Sequence, residues 1–209
     1  MFQIIRDLVF TPMCGRCARL GSRLCPECLS TLVPFARQDI PGVESAFAAH
    51  DYDGWVRDAV IALKESRRGS VPALAELLVQ LARHLNLDST VACIPIPSSP
   101  QKLLQRGFNP VRLVADEAAR ISPESIRVAN LLGQAREIDD SVGLNPRERH
   151  ANVQGAFEVL APAPSVVALI DDVITTGATL GSAAKTLKAA GVQEVYALAL
   201  CASRPKGLR

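Results

Sequence analysis

Apolar positions recur along this chain with two different periods, and the order in which the periods alternate reads as layered α/β structure. Val56, Ala59, Val60 and Leu63 repeat at i, i+3, i+4 and i+7, one face of a helix. Leu74, Leu77, Leu78, Leu81 and Leu85 form a stronger helical stripe, with Ser70 as its cap and Pro72 in its first turn. Residues 91–96 are a short apolar run that predicts a strand. Asn109-Pro110 opens a helix through about Ile121, with Val111, Val114, Ala115 and Ala118 on its inner face. Residues 126–132 give a weaker strand. The polar stretch 139–154 has no apolar period and reads as a long loop. Residues 166–170 are apolar on both faces, as a strand buried in a parallel sheet requires. Leu180, Ala183, Ala184 and Leu187 line a helix that Gly191 ends, and residues 194–201 form a last strand. This alternation predicts a doubly wound parallel sheet with right-handed crossovers, an α/β domain over residues 46–209.

Residues 1–45 stand apart. Cys14-Gly-Arg-Cys17 and Cys25-Pro-Glu-Cys28 are two C-x-x-C hooks, each aiming two sulfurs at one point. Together they close a tetrahedral site of four sulfurs, a set that suits zinc, with iron as its rival. Every coordination position is protein sulfur, so the site reads as structural. Gly15 and Pro26 fit tight turns. Two disulfides or a redox pair are the alternatives; a chain without a secretion signal disfavours the first. Pro34 and Pro41 mark irregular connector. The first ten residues read as a short amphipathic helix leading into this zinc-binding module, and residues 203–209 as a frayed tail.

Composition narrows the setting. With 48% hydrophobic and 21% charged residues, the chain is composed as an ordinary globular protein. No run approaches the ~18 apolar residues of a membrane span, so membrane insertion is not expected. The cysteine usage predicts a reducing, cytoplasmic setting, with Cys93 and Cys201 as buried thiols. A net charge of +2 does not by itself argue for nucleic-acid binding. The basic residues do cluster, however: Arg16, Arg19 and Arg23; Lys64, Arg67 and Arg68; Arg147 and Arg149. Such clusters serve either as solvated surface or as phosphate contacts.

The richest stretch follows the strand at 166–170. Asp171 and Asp172 stand at its carboxyl end, where open α/β sheets bind ligands. Carboxylates there accept hydrogen bonds from ribose hydroxyls or hold the water shell of Mg²⁺. Thr175, Thr176, Gly177, Ala178 and Thr179 then offer N–H groups and hydroxyls to a phosphate, at the positive end of the next helix. Gly177 gives backbone freedom and room for close approach. An ordinary strand-turn-helix with capping acids is the plain alternative. Ile94-Pro-Ile-Pro97 takes the chain out of the sheet into a polar, basic segment. There Lys102, Arg106 and Gly107 either meet a pyrophosphate, if the two strands are neighbours, or belong to a surface loop with Phe108 tucked into the core. Arg147, Arg149 and Asn152 belong to the 139–154 loop, which either closes over a polyanion or is simply solvated.

The order of these motifs, from the paired C-x-x-C through Arg106-Gly-Phe-Asn109 and Arg147-Glu-Arg-His-Ala-Asn152 to Asp171-Asp-Val-Ile-Thr-Thr-Gly-Ala-Thr179, resembles the ComF family along nearly the whole chain. The resemblance implies a type I phosphoribosyltransferase fold with an N-terminal zinc module, and a link to natural competence. It also implies that Asp171 and Asp172 contact the ribose of phosphoribosyl pyrophosphate (PRPP), that residues 175–179 hold its 5′-phosphate, and that Arg106 lies by its pyrophosphate. Purine-salvage relatives of the wider fold often carry an acid where Thr175 stands. Threonine is no general base at neutral pH, which removes one argument for purine transfer without excluding catalysis. Two functional readings lead, with a regulator made from a phosphoribosyltransferase fold as a third. One is an enzyme that transfers the phosphoribosyl group with release of pyrophosphate. The other is a nucleotide-responsive binding protein acting with single-stranded DNA and the competence machinery proteins. Few aromatic residues (one Trp, two Tyr, six Phe) are available to stack bases, so DNA contacts would run through arginine and lysine.

Overall fold

The computed structural model describes residues 11–32, 34–37, 40–87, 90–136 and 145–203, without the side chains of residues 146, 147, 149 and 150. Eight strands and seven α-helices alternate along this part of the chain. The strands are β1 (Phe35–Arg37), β2 (Ser45–Ala48), β3 (Ala92–Pro95), β4 (Arg127–Val128), β5 (Leu132–Gln134), β6 (Phe157–Val159), β7 (Val166–Ile174) and β8 (Glu194–Ala202). The helices are α1 (Pro26–Leu29), α2 (Gly54–Lys64), α3 (Val71–His84), α4 (Pro100–Arg106), α5 (Pro110–Ile121), α6 (Pro146–Val153) and α7 (Ala178–Ala189). Six strands form one sheet in the order β1-β2-β8-β7-β3-β4, while β5 and β6 make a separate antiparallel pair. All neighbours in the large sheet are parallel except β1 and β2.

Two apolar layers sandwich this sheet, as its continuous apolar strands require. The stripes of α2, α3 and α5 pack on one face with Ala168, Ile170 and Leu198. Leu180, Ala183, Ala184 and Leu187 of α7 pack on the other with Val167, Leu169 and Ala197. Leu74, Leu77, Leu78 and Leu81 of α3 are all fully buried, each contributing ~1.5–3 kcal/mol of transfer free energy. Ser70 holds the N-cap position of α3 without capping it; its hydroxyl instead donates to the Ala59 carbonyl at 3.2 Å, tying α3 to α2. Gly191, at φ +99°, takes the left-handed conformation just beyond α7, as a helix stop requires.

Several elements differ from the sequence expectation. The stretch read as loop over 139–154 is helical from Pro146 to Val153. A capping box starts this helix: the Asn145 side chain accepts from the Glu148 N–H, and the Glu148 carboxylate accepts from the Asn145 N–H. The basic segment after β3 also holds a helix, α4, stopped by Gly107 at φ +74°. The connector beyond Pro34 enters the main sheet as β1 and β2, with β2 alongside β8. The helix expected over residues 1–10 lies outside the described residues, as does the tail beyond Ser203.

Candidate ligand crevice and metal site

Chain direction defines the crevice. From β3 the chain moves outward to β4, and from β7 it moves the opposite way to β8. The connections therefore diverge between β3 and β7, which is the switch point where an open α/β sheet leaves a crevice beyond its strand ends. Residues 92–95 of β3 pair with residues 167–170 of β7, and the Ile96 N–H still donates to the Ile170 carbonyl. Beyond that point β3 turns away at Pro97, while β7 runs on to Ile174 against β8. Asp171 and Asp172 thus lie inside a strand four residues longer than its apolar run, at the place where their β3 neighbour has left.

Both carboxylates are half-buried. The Asp171 carboxylate accepts the Asp172 N–H at 2.8 Å. Alternation along β7 carries Asp172 to the face covered by α2, and Lys64 at the end of α2 meets it at 2.8 Å. Burial, together with the negative charge of Asp172, pushes the Asp171 carboxyl up to about 7. Burial pulls the Lys64 ammonium down, but the attraction of Asp172 outweighs it, and the net shift is upward. Sequence reading placed Lys64 in a basic cluster and missed this pairing. No local pattern joins the end of α2 to the middle of β7.

The turn after β7 carries the remaining residues. Thr175 is exposed, Thr176 and Thr179 are partly exposed, and Gly177 and Ala178 are buried. The Thr176 hydroxyl accepts the Ala178 N–H at 3.3 Å at the start of α7. Gly177 has φ +76°, and a Cβ there would stand 2.6 Å from Ile40 Cγ1. The close approach that requires glycine here is thus made by the connector. Pro41 follows over α7, its carbonyl 3.3 Å from a Cβ built on Gly181. A groove of about 740 Å³ starts at Ala178 and follows α7 to Ala189, but neither acid lines it.

Across the crevice, α4 follows directly from the end of β3. Lys102 and Arg106 are partly exposed on it, and Gly107 forms its cap. Arg68 stacks on Phe108, its guanidinium carbon 4.2 Å from the ring centroid, which ties the α2–α3 connection to the α4–α5 turn. The Asn109 side chain donates to the Ile96 carbonyl at 2.8 Å and accepts N–H groups of α5, fixing that helix to the end of β3. Arg147, Arg149 and Asn152 fall on α6. The side chains of the two arginines lie outside the described part, and the Asn152 carbonyl accepts from Arg136 at 3.1 Å.

The four cysteines of the N-terminal hooks meet. Their sulfurs all lie within 4.8 Å of one another. A zinc tetrahedron with bonds of ~2.3 Å has edges of ~3.8 Å, and Cys17 and Cys25 sulfurs are 3.6 Å apart. The donor set fits a metal such as zinc. The Cys25 N–H points at Cys14 Sγ, 3.4 Å away. Burial pushes the Cys14 thiol up, but N–H groups of Cys17, Cys25 and Arg16 outweigh it and bring it down to about 6. Burial and the neighbouring thiols raise Cys28 to about 12. Gly15 lies in the turn expected of it and is not left-handed, and it has a second purpose: a Cβ there would stand 2.5 Å from Ala73 Cβ of α3. Left-handed backbone in this hook falls instead on Ala18 at φ +59°. Two of the three knuckle arginines are tied down locally, Arg16 donating to the Thr31 hydroxyl and Arg19 pairing with Glu27.

These features define a mixed α/β protein with a mostly parallel sheet and a four-cysteine cluster before it. No family model matches the chain. It is 31% identical over 108 residues to Competence protein F of Haemophilus influenzae, across 50% of this chain and 47% of that protein, so the match spans about half that relative's length. It is 28% identical over 206 residues to DNA utilization protein YhgH of Salmonella typhimurium, covering 90% of this chain and 88% of that one. It is also 28% identical over 200 residues to Competence protein ComFC of Streptococcus pneumoniae, covering 90% and 86%. Homologues with these names support the ComF family for this chain, the family its motif order resembles.

Proposed function

We propose that this protein has a type I phosphoribosyltransferase fold and binds PRPP or a ribose 5-phosphate nucleotide at residues 171–179, in the service of single-stranded DNA uptake. One observation carries the ligand reading: an acidic pair and a helix N-terminus share the crevice between β3 and β7. In this reading Asp171 and Asp172 accept hydrogen bonds from the ribose hydroxyls, and residues 175–179 take the 5′-phosphate. Lys102, Arg106 and Gly107 face the pyrophosphate, and Arg147, Arg149 and Asn152 approach from α6. A Mg²⁺ ion arriving with PRPP would neutralise the pyrophosphate. Zinc at Cys14, Cys17, Cys25 and Cys28 is structural. The names of the relatives motivate the DNA role, with competence machinery proteins as partners.

Calorimetry with PRPP and Mg²⁺ tests the ligand reading. Asp171→Ala/Asp172→Ala should lose contacts worth ~1.5–3 kcal/mol per charge-assisted hydrogen bond; equal affinity in both proteins would move the ligand elsewhere. Pyrophosphate release across a panel of nucleobases separates transfer from binding alone. Thr175 offers no general base, which removes one argument for purine transfer and keeps binding alone as the second reading. Single-stranded DNA binding should fall with salt at ~0.7 per neutralised phosphate in log–log form. It should weaken on replacing Arg16, Arg19 and Arg23 by glutamine, and a salt-independent affinity would remove the DNA role.

A further inference from the structure

The ammonium of Lys64 meets the acidic pair at Asp172. Its Nζ is 2.8 Å from Asp172 Oδ2, with the Lys64 side chain about one-third exposed and that of Asp172 only 17% exposed. An ammonium carries three donors, and Asp172 takes one of them. The helix bearing Lys64 is anchored by Val56, Val60 and Leu63, all buried on one face, so the ammonium is presented from a fixed element. Two carboxylates this close repel each other and attract any available cation. The fold supplies that cation from within the chain.

We propose that Lys64 is the built-in counter-cation of the Asp171–Asp172 pair, excluding divalent metal from Asp172 and orienting its carboxylate for ribose hydroxyls. It is a positioning and specificity residue of the crevice described above, and its ligand-binding half rests on the function proposed there. Ribose 5-phosphate then binds without divalent metal, whereas PRPP needs metal for its own pyrophosphate. Arginine at this position preserves the charge. Methionine removes it while keeping length and helix propensity.

Two titrations on zinc-loaded full chain decide the matter. In the first, Mn²⁺ is followed by electron paramagnetic resonance, a hard cation that prefers oxygen to the cysteine cluster. Lys64→Met should bind Mn²⁺ roughly tenfold or more tightly than wild type, a gain lost when Asp171 and Asp172 are also alanine; Lys64→Arg should match wild type. A Mn²⁺ affinity unchanged by Lys64→Met would overturn the role of Lys64. A folding defect would not raise metal affinity, so this readout stands apart from stability. In the second, ribose 5-phosphate is titrated by calorimetry in metal-depleted buffer. Wild type and Lys64→Arg should bind, Lys64→Met should bind roughly tenfold more weakly, and added Mg²⁺ should restore it. Wild-type binding that requires Mg²⁺ would overturn the proposal. Wild type that binds neither ribose 5-phosphate nor PRPP, with or without Mg²⁺, would remove the ligand itself, leaving the Mn²⁺ result to judge Lys64 alone.

Discussion

The cysteine cluster and the acidic pair are both written in short stretches of sequence, but they are finished in different ways. The cysteines complete one another. Four sulfurs converge within a segment of fifteen residues, three of those cysteines are buried, and the backbone of one hook faces a sulfur of the other. Nothing from outside is needed to fill the coordination sphere, and nothing is left open for a substrate. The acidic pair is completed from elsewhere. Its cation comes from α2, the residue shaping its turn comes from the connector at Ile40, and its crevice comes from the departure of β3. A site that closes on itself suits a structural metal. A site assembled from distant elements, with one side open, suits a ligand that comes and goes.

The strongest way to break this contrast is to open the closed site. Replacing Cys14 and Cys28 by serine should take bound zinc from one per chain to none. It should remove most of the ~10–16 kcal/mol that a four-ligand zinc site contributes to local folding. The small apolar cluster under the cysteines shares Leu32 and Trp55 with the main core. Metal loss should therefore shift the emission of the single tryptophan to the red. Metal analysis and fluorescence check this together. Zinc retained in the double mutant would refute the ligand assignment, and unchanged Trp55 emission would show the two regions to be independent.

A smaller effect sharpens the comparison from the glycines. Gly15→Ala puts a Cβ 2.5 Å from Ala73, in backbone that alanine can adopt. Gly177→Ala adds left-handed strain to a 2.6 Å approach to Ile40. Overpacking costs ~1–3 kcal/mol at each site, and Gly177→Ala should cost ~1 kcal/mol more because alanine disfavours positive φ. In denaturant melts, Ile40→Ala should recover the packing part of the Gly177→Ala loss and leave the backbone part. Full recovery would mean that the turn carries no strain.

The smallest effect concerns the charge of Asp171. Its folded-state pKa, about 7, is above the ~3.9 of an unfolded aspartate. The folded chain thus holds a proton that the unfolded chain has released. The contribution of this group is fully present below about pH 4 and declines as pH rises through 7. Between pH 5 and pH 8 the wild type should lose a few degrees of Tm relative to Asp171→Asn, at ~2–4 °C per kcal/mol for a domain of this size. A difference between the two proteins that stays flat across the window would show that Asp171 is ionised throughout.

Much of this molecule could be read before its structure was known. The helical stripes of α2, α3, α5 and α7, the strands at β3 and β8, and the convergence of four cysteines follow from period and spacing alone. Short-range physics governs all of them. The elements that escaped are those whose stabilising partners lie far away. Asp171 and Asp172 are poor strand formers, yet β7 continues through them because β8 pairs with it as far as Ile174. The α6 segment lacks an apolar stripe, although its Asn145-Pro-Arg-Glu148 start is a capping signal in plain view. For α4, Ser99, Pro100 and Gly107 were legible start and stop residues, but none of its residues is buried, so the hydrophobic pattern gave no support.

The sequence by itself determined which residues carry chemistry, because thiols, paired carboxylates and a threonine-glycine turn are chemical facts independent of fold. It also determined that the cysteines meet, because two hooks seven residues apart have few other places to go. Only the tertiary structure decided that Lys64 faces Asp172, that Ile40 packs against Gly177 and that Gly15 admits Ala73. The reason is that contacts between distant segments depend on how the sheet orders its strands and where each helix docks. Strand order comes from the packing of the whole core, and no local stretch of the chain contains it.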